Sequence, residues 1–194
     1  MSMIGWLLAV SPAQVGSLQQ APALVADLVR MAQEDSWRLA GYAQEETAET
    51  KQRRANLAHA APFAEALCLE KSWDILQHLL TGYPGDEAAP GNMLMTGTAL
   101  GEDAGYGPTV LHDVAETQDF ARFLAATGMA EVEGRATYAS LSSSGTYGLP
   151  GGGNVSPAEF EEDIRAEVRG YLPKLQRYVS SAASSGHGLL FWIS

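Results

Sequence analysis

Two apolar runs stand near the two ends of the chain, Ile4 to Val10 and Leu189 to Ile193. Each is short, bounded by turn-forming residues and free of a helical period, so each predicts a strand. Terminal strands this apolar belong at the centre of a sheet. Between them the period changes to 3.6 residues. Within "KSWDILQHLLTG", Trp73, Leu76, Leu79 and Leu80 share one helical face, with Ile75 at its edge and Gly82 where a left-handed C-cap belongs. Phe120, Phe123 and Leu124 mark a second helix that should stop at Gly128. The longest stripe runs through Phe160, Ile164, Val168, Leu172, Leu175, Tyr178 and Val179 and ends at Gly186. Pro173 inside it predicts a kink or a split.

Helix starts are legible in the polar residues. Ser11-Pro12 opens a short helix to about Gln20, and Pro22 begins another through Leu24, Leu28 and Met31. Ser156-Pro157 opens the long helix, and Asp113 with Glu116 has capping-box spacing. Other segments carry weaker patterns. Gln44 to His59 reads as an exposed helix or a mobile insertion, and Asn92 to Thr96 as a strand. "YPGDEAAPG" is a loop by composition, and Arg135 to Asn154 a long loop or two ragged strands. The expectation is an α+β fold: a small mixed or antiparallel sheet, both terminal strands near its centre, with helices packed on it. One domain is expected over residues 1–194, with 44–59 and 135–154 as elaborated or mobile segments.

Charge narrows the function classes. Twelve Lys and Arg against 23 Asp and Glu leave a net −11, which repels phosphate backbones and anionic lipid. Nucleic acid and membrane are therefore not expected as partners; a basic protein would be attracted, although acidity of this size also serves solubility alone, which is the reading that the charge by itself favours. The run from Ile4 to Val10 is too short to span a bilayer, has no basic residues before it and no cleavage-type site after it. It reads as a strand of a cytoplasmic protein. Cys68, the only cysteine, lies in the apolar setting Ala66-Leu67-Cys68-Leu69 and reads as a small buried hydrophobe.

No cofactor or metal motif emerges. Gly101, Gly105 and Gly107 match neither the Walker nor the dinucleotide spacing, and Glu102 and Asp103 would repel a phosphate. The glycines at 151–153 precede a helix whose free amides Ser156 and Glu159 already claim. His59, His78, His112 and His187 form no paired metal motif, and His112 reads as a solvent-facing histidine beside the Asp113 cap. The serines at 142–144 lie in a low-complexity loop without a nucleophile elbow. Tyr106, between two glycines and before Pro108, reads as a tight turn that packs an aromatic ring against the sheet.

Four segments in this order, "MIGWLLAVSP", "KSWDILQHLLTG", "GEDAGYGPTVL" and "GHGLLFWIS", resemble the YfbM-like family, domain of unknown function 1877. The resemblance implies a small bacterial cytoplasmic α+β domain. The family usually carries histidines at the positions of Asp74 and Gln77, so no imidazole chemistry transfers here. Domains of this kind are similar in size and isolated character to proteins that neutralise antibacterial toxins. That implies a non-catalytic, cofactor-free binder of a toxin with a basic cleft. Its contact residues would be Asp86, Glu87, Glu102, Asp103 and Tyr106, which otherwise are ordinary solvated loop residues. The alternative is a small cytoplasmic enzyme or small-molecule-binding domain with a site assembled from scattered residues.

Overall fold

Along β1 (Gly5–Val10) and β5 (Gly188–Ile193) successive side chains point to opposite faces, and almost all are buried. Both faces of the sheet are therefore covered, which is why neither strand alternates with polar residues. The computed structural model describes residues 3–39, 47–57, 65–81, 92, 94, 96–101, 106–150 and 155–194. β1 and β5 pair antiparallel in register, with Leu7 opposite Phe191 and Leu8 opposite Leu190. The other strands are β2 (Leu67–Glu70), β3 (Thr98–Leu100) and β4 (Thr109–His112). The order is β2-β1-β5-β4-β3, antiparallel at every pairing. The α+β expectation holds, with β5 central and β1 beside it.

Leu7, Ala9, Leu189 and Phe191 face one core. There they meet α4 (Ser72–Thr81), α5 (Val114–Ala126), α6 (Met129–Arg135), α7 (Tyr138–Leu141) and α8 (Pro157–Ser184). Trp6, Leu8, Val10, Leu190 and Trp192 face a second core, closed by α1 (Pro12–Gln20) and α2 (Leu24–Leu39). A further helix, α3 (Ala48–Leu57), packs on α2 and confirms the helical reading of the polar Gln44–His59 segment over that part. Trp73 meets Phe191 with ring centres 6.0 Å apart, so α4 is keyed directly to the central strand.

Side chains close the ends of the helices. Ser11 with Gln14, Asp113 with Glu116 and Ser156 with Glu159 each form a reciprocal capping box. At the end of α8, Gly186 takes φ +66°; its N–H reaches the Ala183 carbonyl, and that of His187 reaches Ala182. This is a Schellman closure that only glycine adopts without strain. Arg135 donates to the Leu79 and Leu80 carbonyls at the end of α4, and Gln176 donates to Leu124 and Thr127 at the end of α5. Tyr178 ties α8 to the sheet, accepting from the Ala9 N–H at 2.9 Å and donating to the Glu65 carbonyl. Burial pushes its phenol up to about 12.

The Asp113 box yields a direct test. Asp113→Ala should lower stability by about 0.5–2 kcal/mol, and Asp113→Asn by much less, since an amide oxygen also accepts the Glu116 N–H. Thermal melts should be the same with and without chelator; a large chelator effect would mean that the carboxylate holds a metal instead.

Several expectations are corrected. Pro173 does not split α8, which is one 28-residue helix. The carbonyl it leaves unpaired belongs to Arg169, an exposed residue, while Val168, Leu172 and Leu175 stay buried and hold the helix to the core. Of the expected strand Asn92 to Thr96, the described residues Asn92, Leu94 and Thr96 are not in a strand: the Thr96 N–H bonds to the Asn92 carbonyl, a helical turn, and the strand β3 begins at Thr98. The residues 135–150 hold no strand; they contain the end of α6, the one-turn α7 and a series of turns. Between the Tyr106 turn and the Asp113 cap lies β4, a strand that the sequence pattern does not announce. Gly82, read as a C-cap, lies outside the described residues.

Candidate functional site

Tyr106 and Gly107 connect β3 to β4, and Gly107 takes φ +94°. Tyr106 is half-buried, and it lines two open hollows near the end of β5. The smaller, about 200 Å³, lies on the strand row of Ala99, Val110 and Phe191. The larger, about 370 Å³, lies against α2 and is lined by Val29, Arg30, Gln33, Thr109 and Trp192 among others. Trp192 borders both hollows, and its ring stacks on Trp6 at 6.1 Å with 5° between the planes. The Trp6 N–H donates to Ser194 Oγ at 3.1 Å, which fixes the pair. Of the expected contact residues, only Tyr106 is among those described; Asp86, Glu87, Glu102 and Asp103 lie outside them.

A second polar cluster went unread in the sequence. Asp74 and His78 are one turn apart on α4, and the turns at 144–148 fold over them. The Asp74 carboxylate accepts the Tyr147 N–H at 2.7 Å, and Thr146 Oγ1 lies 3.3 Å from His78 Nδ1. The Tyr147 hydroxyl reaches back to accept the Met3 N–H. Gly148, at φ +78°, approaches so closely that a Cβ there would stand 2.7 Å from the Lys71 carbonyl. Residues 146–148 thus meet α4 and the residue before it by backbone contact as well as by side chains. Nearby, Gln77 donates to Asn92 and Ser72 to Glu167. Burial raises the Asp74 pKa and lowers that of His78, each held back by the other's charge.

The sign of the pH effect follows. Above the ordinary imidazole value of 6.5, His78 is neutral whether folded or unfolded and contributes no slope. Below it the unfolded chain takes the proton first, so stability falls with pH until the depressed folded pKa is reached. Asp74 acts oppositely and lower: its raised pKa lets the folded chain take a proton first, from above its ordinary 3.8. His78→Gln should therefore lose less stability than the parent between about pH 7.5 and 5.5, by urea denaturation. Equal slopes would show that the imidazole is not desolvated.

His112 is corrected as well. It is not solvent-facing; it lies on β4 opposite Leu189, 1% exposed, with its ring over Gly97 and Nδ1 3.9 Å from Glu116. Gly97 adopts φ +124°, and a Cβ there would meet that ring at 2.8 Å. Cys68 is half-buried rather than fully so, and burial pushes its thiol up to about 11, the state of an unreactive cysteine. Among the described residues no three His, Cys, Asp or Glu side chains come together as a metal site. No helix among them is long and apolar enough to cross a membrane.

The sequence profile of a family described as "Domain of unknown function (DUF1877)" matches residues 1–192. Among solved structures, the chain is similar to the crystal structure of YfbM from Escherichia coli, a protein of unknown function. The TM-score is 0.64 at 17% identity, over 98% of this chain and 99% of that one. At that identity the likeness speaks for the fold alone. None of the curated proteins compared matches the chain.

Proposed function

The chain belongs to the DUF1877 family, and from that premise we propose that it is a non-catalytic protein-binding domain, an immunity-type inhibitor that blocks a bacterial antagonistic toxin. One observation carries the reading. Tyr106 stands half-buried on the rim of two open hollows, three positions after Asp103 of the acidic pair Glu102 and Asp103. Aromatic side chains of this kind are the usual anchors of protein interfaces, since they bury much area with few rotamers. The net charge of −11 supplies the other half of the reading. A toxin that acts on an anionic substrate presents a basic cleft, and an acidic inhibitor is steered to it.

The contact surface would comprise Tyr106 with Glu102 and Asp103, and Asp86 and Glu87, which follow α4 in sequence. No cofactor or metal takes part in such a contact. Reversing Glu102 and Asp103 together to Lys should slow association with the toxin about ten-fold at low salt, with the gap closing as salt rises. The melting temperature should be unchanged. Association that is equally fast in the double variant would remove these residues from the interface.

A further inference from the structure

Backbone hydrogen bonds alternate across the sheet and decide what its outer strand exposes. Ile4 and Ser194 exchange both of theirs, at 2.8 and 3.0 Å. In an antiparallel pair such residues alternate with others whose N–H and C=O turn to the opposite side. Trp6, Leu8 and Val10 therefore bond to β5, while Leu189 and Phe191 of β5 turn to His112 and Val110 of β4. That leaves Leu111 and Thr109 for Thr98 and Leu100 of β3. Ala99, between those two, points its N–H and C=O away from the sheet.

β3 ends the strand order. Ala99 is exposed, and its outward N–H and C=O have no hydrogen-bond partner among the described residues. Gly97 at φ +124° and Gly101 at φ +74° stop the strand on either side. An unpaired edge is a template for one more strand. A residue paired with Ala99 would carry its side chain on the face that Ala99 shares with Val110 and Phe191. This is the face of the smaller hollow, about 200 Å³, where Gly97 and Ala99 add almost no side-chain bulk and Tyr106 stands on the rim.

Carboxylates flank the edge. The Glu116 side chain is 44% exposed and lies 3.9 Å from the His112 imidazole, whose ring is over Gly97 at one end of β3. Glu102 and Asp103 follow the other end in sequence. A second copy of this chain would bring like charges together, whereas Lys and Arg are drawn in.

We propose that the β3 edge receives an extended segment of the toxin, whose backbone pairs with Ala99 and whose large apolar side chain, flanked by Lys or Arg, enters the hollow beside Tyr106. The inference rests on the inhibitor reading and names the part of the partner that this surface takes. In strand addition the backbone bonds supply affinity and the alternate side chains supply selection.

The test uses the complex with the product of the adjacent gene. The Ala99 amide should exchange with deuterium freely in the chain alone and at least about a hundred-fold more slowly in the complex. Ala99→Pro removes the N–H and puts ring carbons in its place, a change that an edge strand accepts where the N–H faces outward. It should weaken the complex about ten-fold or more, whereas Ala99→Ser, which keeps the N–H, should bind like the parent. A complex in which the Ala99 amide exchanges as fast as in the free chain would overturn the inference and leave the inhibitor reading standing. So would a complex equally tight with Ala99→Pro. The absence of any complex would end both. Self-association of the chain alone that Ala99→Pro abolishes would give the edge to a second copy and overturn the inference as well.

Discussion

Leu79→Ala is expected to lower the unfolding free energy by about 2–5 kcal/mol, among the largest losses available to a single substitution here. Leu79 is 1% exposed and belongs to the core in which α4 meets Ile164, Val168 and Leu172 of α8. Little can move to fill the space it would leave. The far end of α4 is held by Arg135 through the Leu79 and Leu80 carbonyls, and Trp73 fixes the near end against Phe191. Poor collapse leaves a larger cavity and places the loss toward the upper part of the range. Urea denaturation should show a lower midpoint with an unchanged slope. A loss below about half a kilocalorie would mean that the α4 stripe does not face α8.

Gly5→Ala should be nearly as damaging although it adds a single carbon. A Cβ at position 5 would stand 2.5 Å from the Trp73 Cβ and 2.6 Å from its Cγ. Those atoms sit at the root of the side chain, so no rotamer change relieves the overlap; α4 must move away from β1. Overpacking of this kind costs about 1–3 kcal/mol. Trp73→Ala keeps the Cβ and should not rescue the variant. Gly5→Ala as stable as the parent would show that α4 and β1 are not in close contact.

How legible these features were depends on how far each signal reaches along the chain. Ile4–Val10 and Leu189–Ile193 stood out because both faces of the central strands are buried, which leaves no polar interruption. The capping boxes at Asp113 and Ser156, and the Gly186 closure, were readable because each is complete within a few residues. β2, β3 and β4 were missed for the opposite reason. Each has three or four residues, and flanking glycines, prolines and charges give the same local pattern as a loop. His112 looked like a surface residue beside a cap. Its burial comes from β4 pairing with a strand nearly eighty positions away, and from Gly97 making room beneath the ring.

The residues around the hollows and over α4 divide in the same way. Tyr106 stands out from the Gly-Tyr-Gly-Pro turn, a local signal. Arg30, Gln33 and Trp192 join it only after α2 and β5 meet across the second core, so no spacing announces them. Asp74 and His78 did carry a signal, two titratable groups at i and i+4 on a buried helix. Their partners Thr146 and Tyr147 lie in a Ser/Gly tract whose composition suggested looseness. Residues 146–148 meet the start of α4 all the same, as the Gly148 contact with Lys71 shows.

The proposed role is tested most directly by co-expressing the chain with the product of the adjacent gene and measuring growth together with complex formation by light scattering. Inhibition predicts that the neighbour's product is toxic alone, that the chain restores growth, and that the two elute as one complex. It also predicts that the complex forms more slowly when Glu102 and Asp103 are replaced by Lys. A neighbour that is harmless, or a toxic one that the chain neither relieves nor binds, would contradict it.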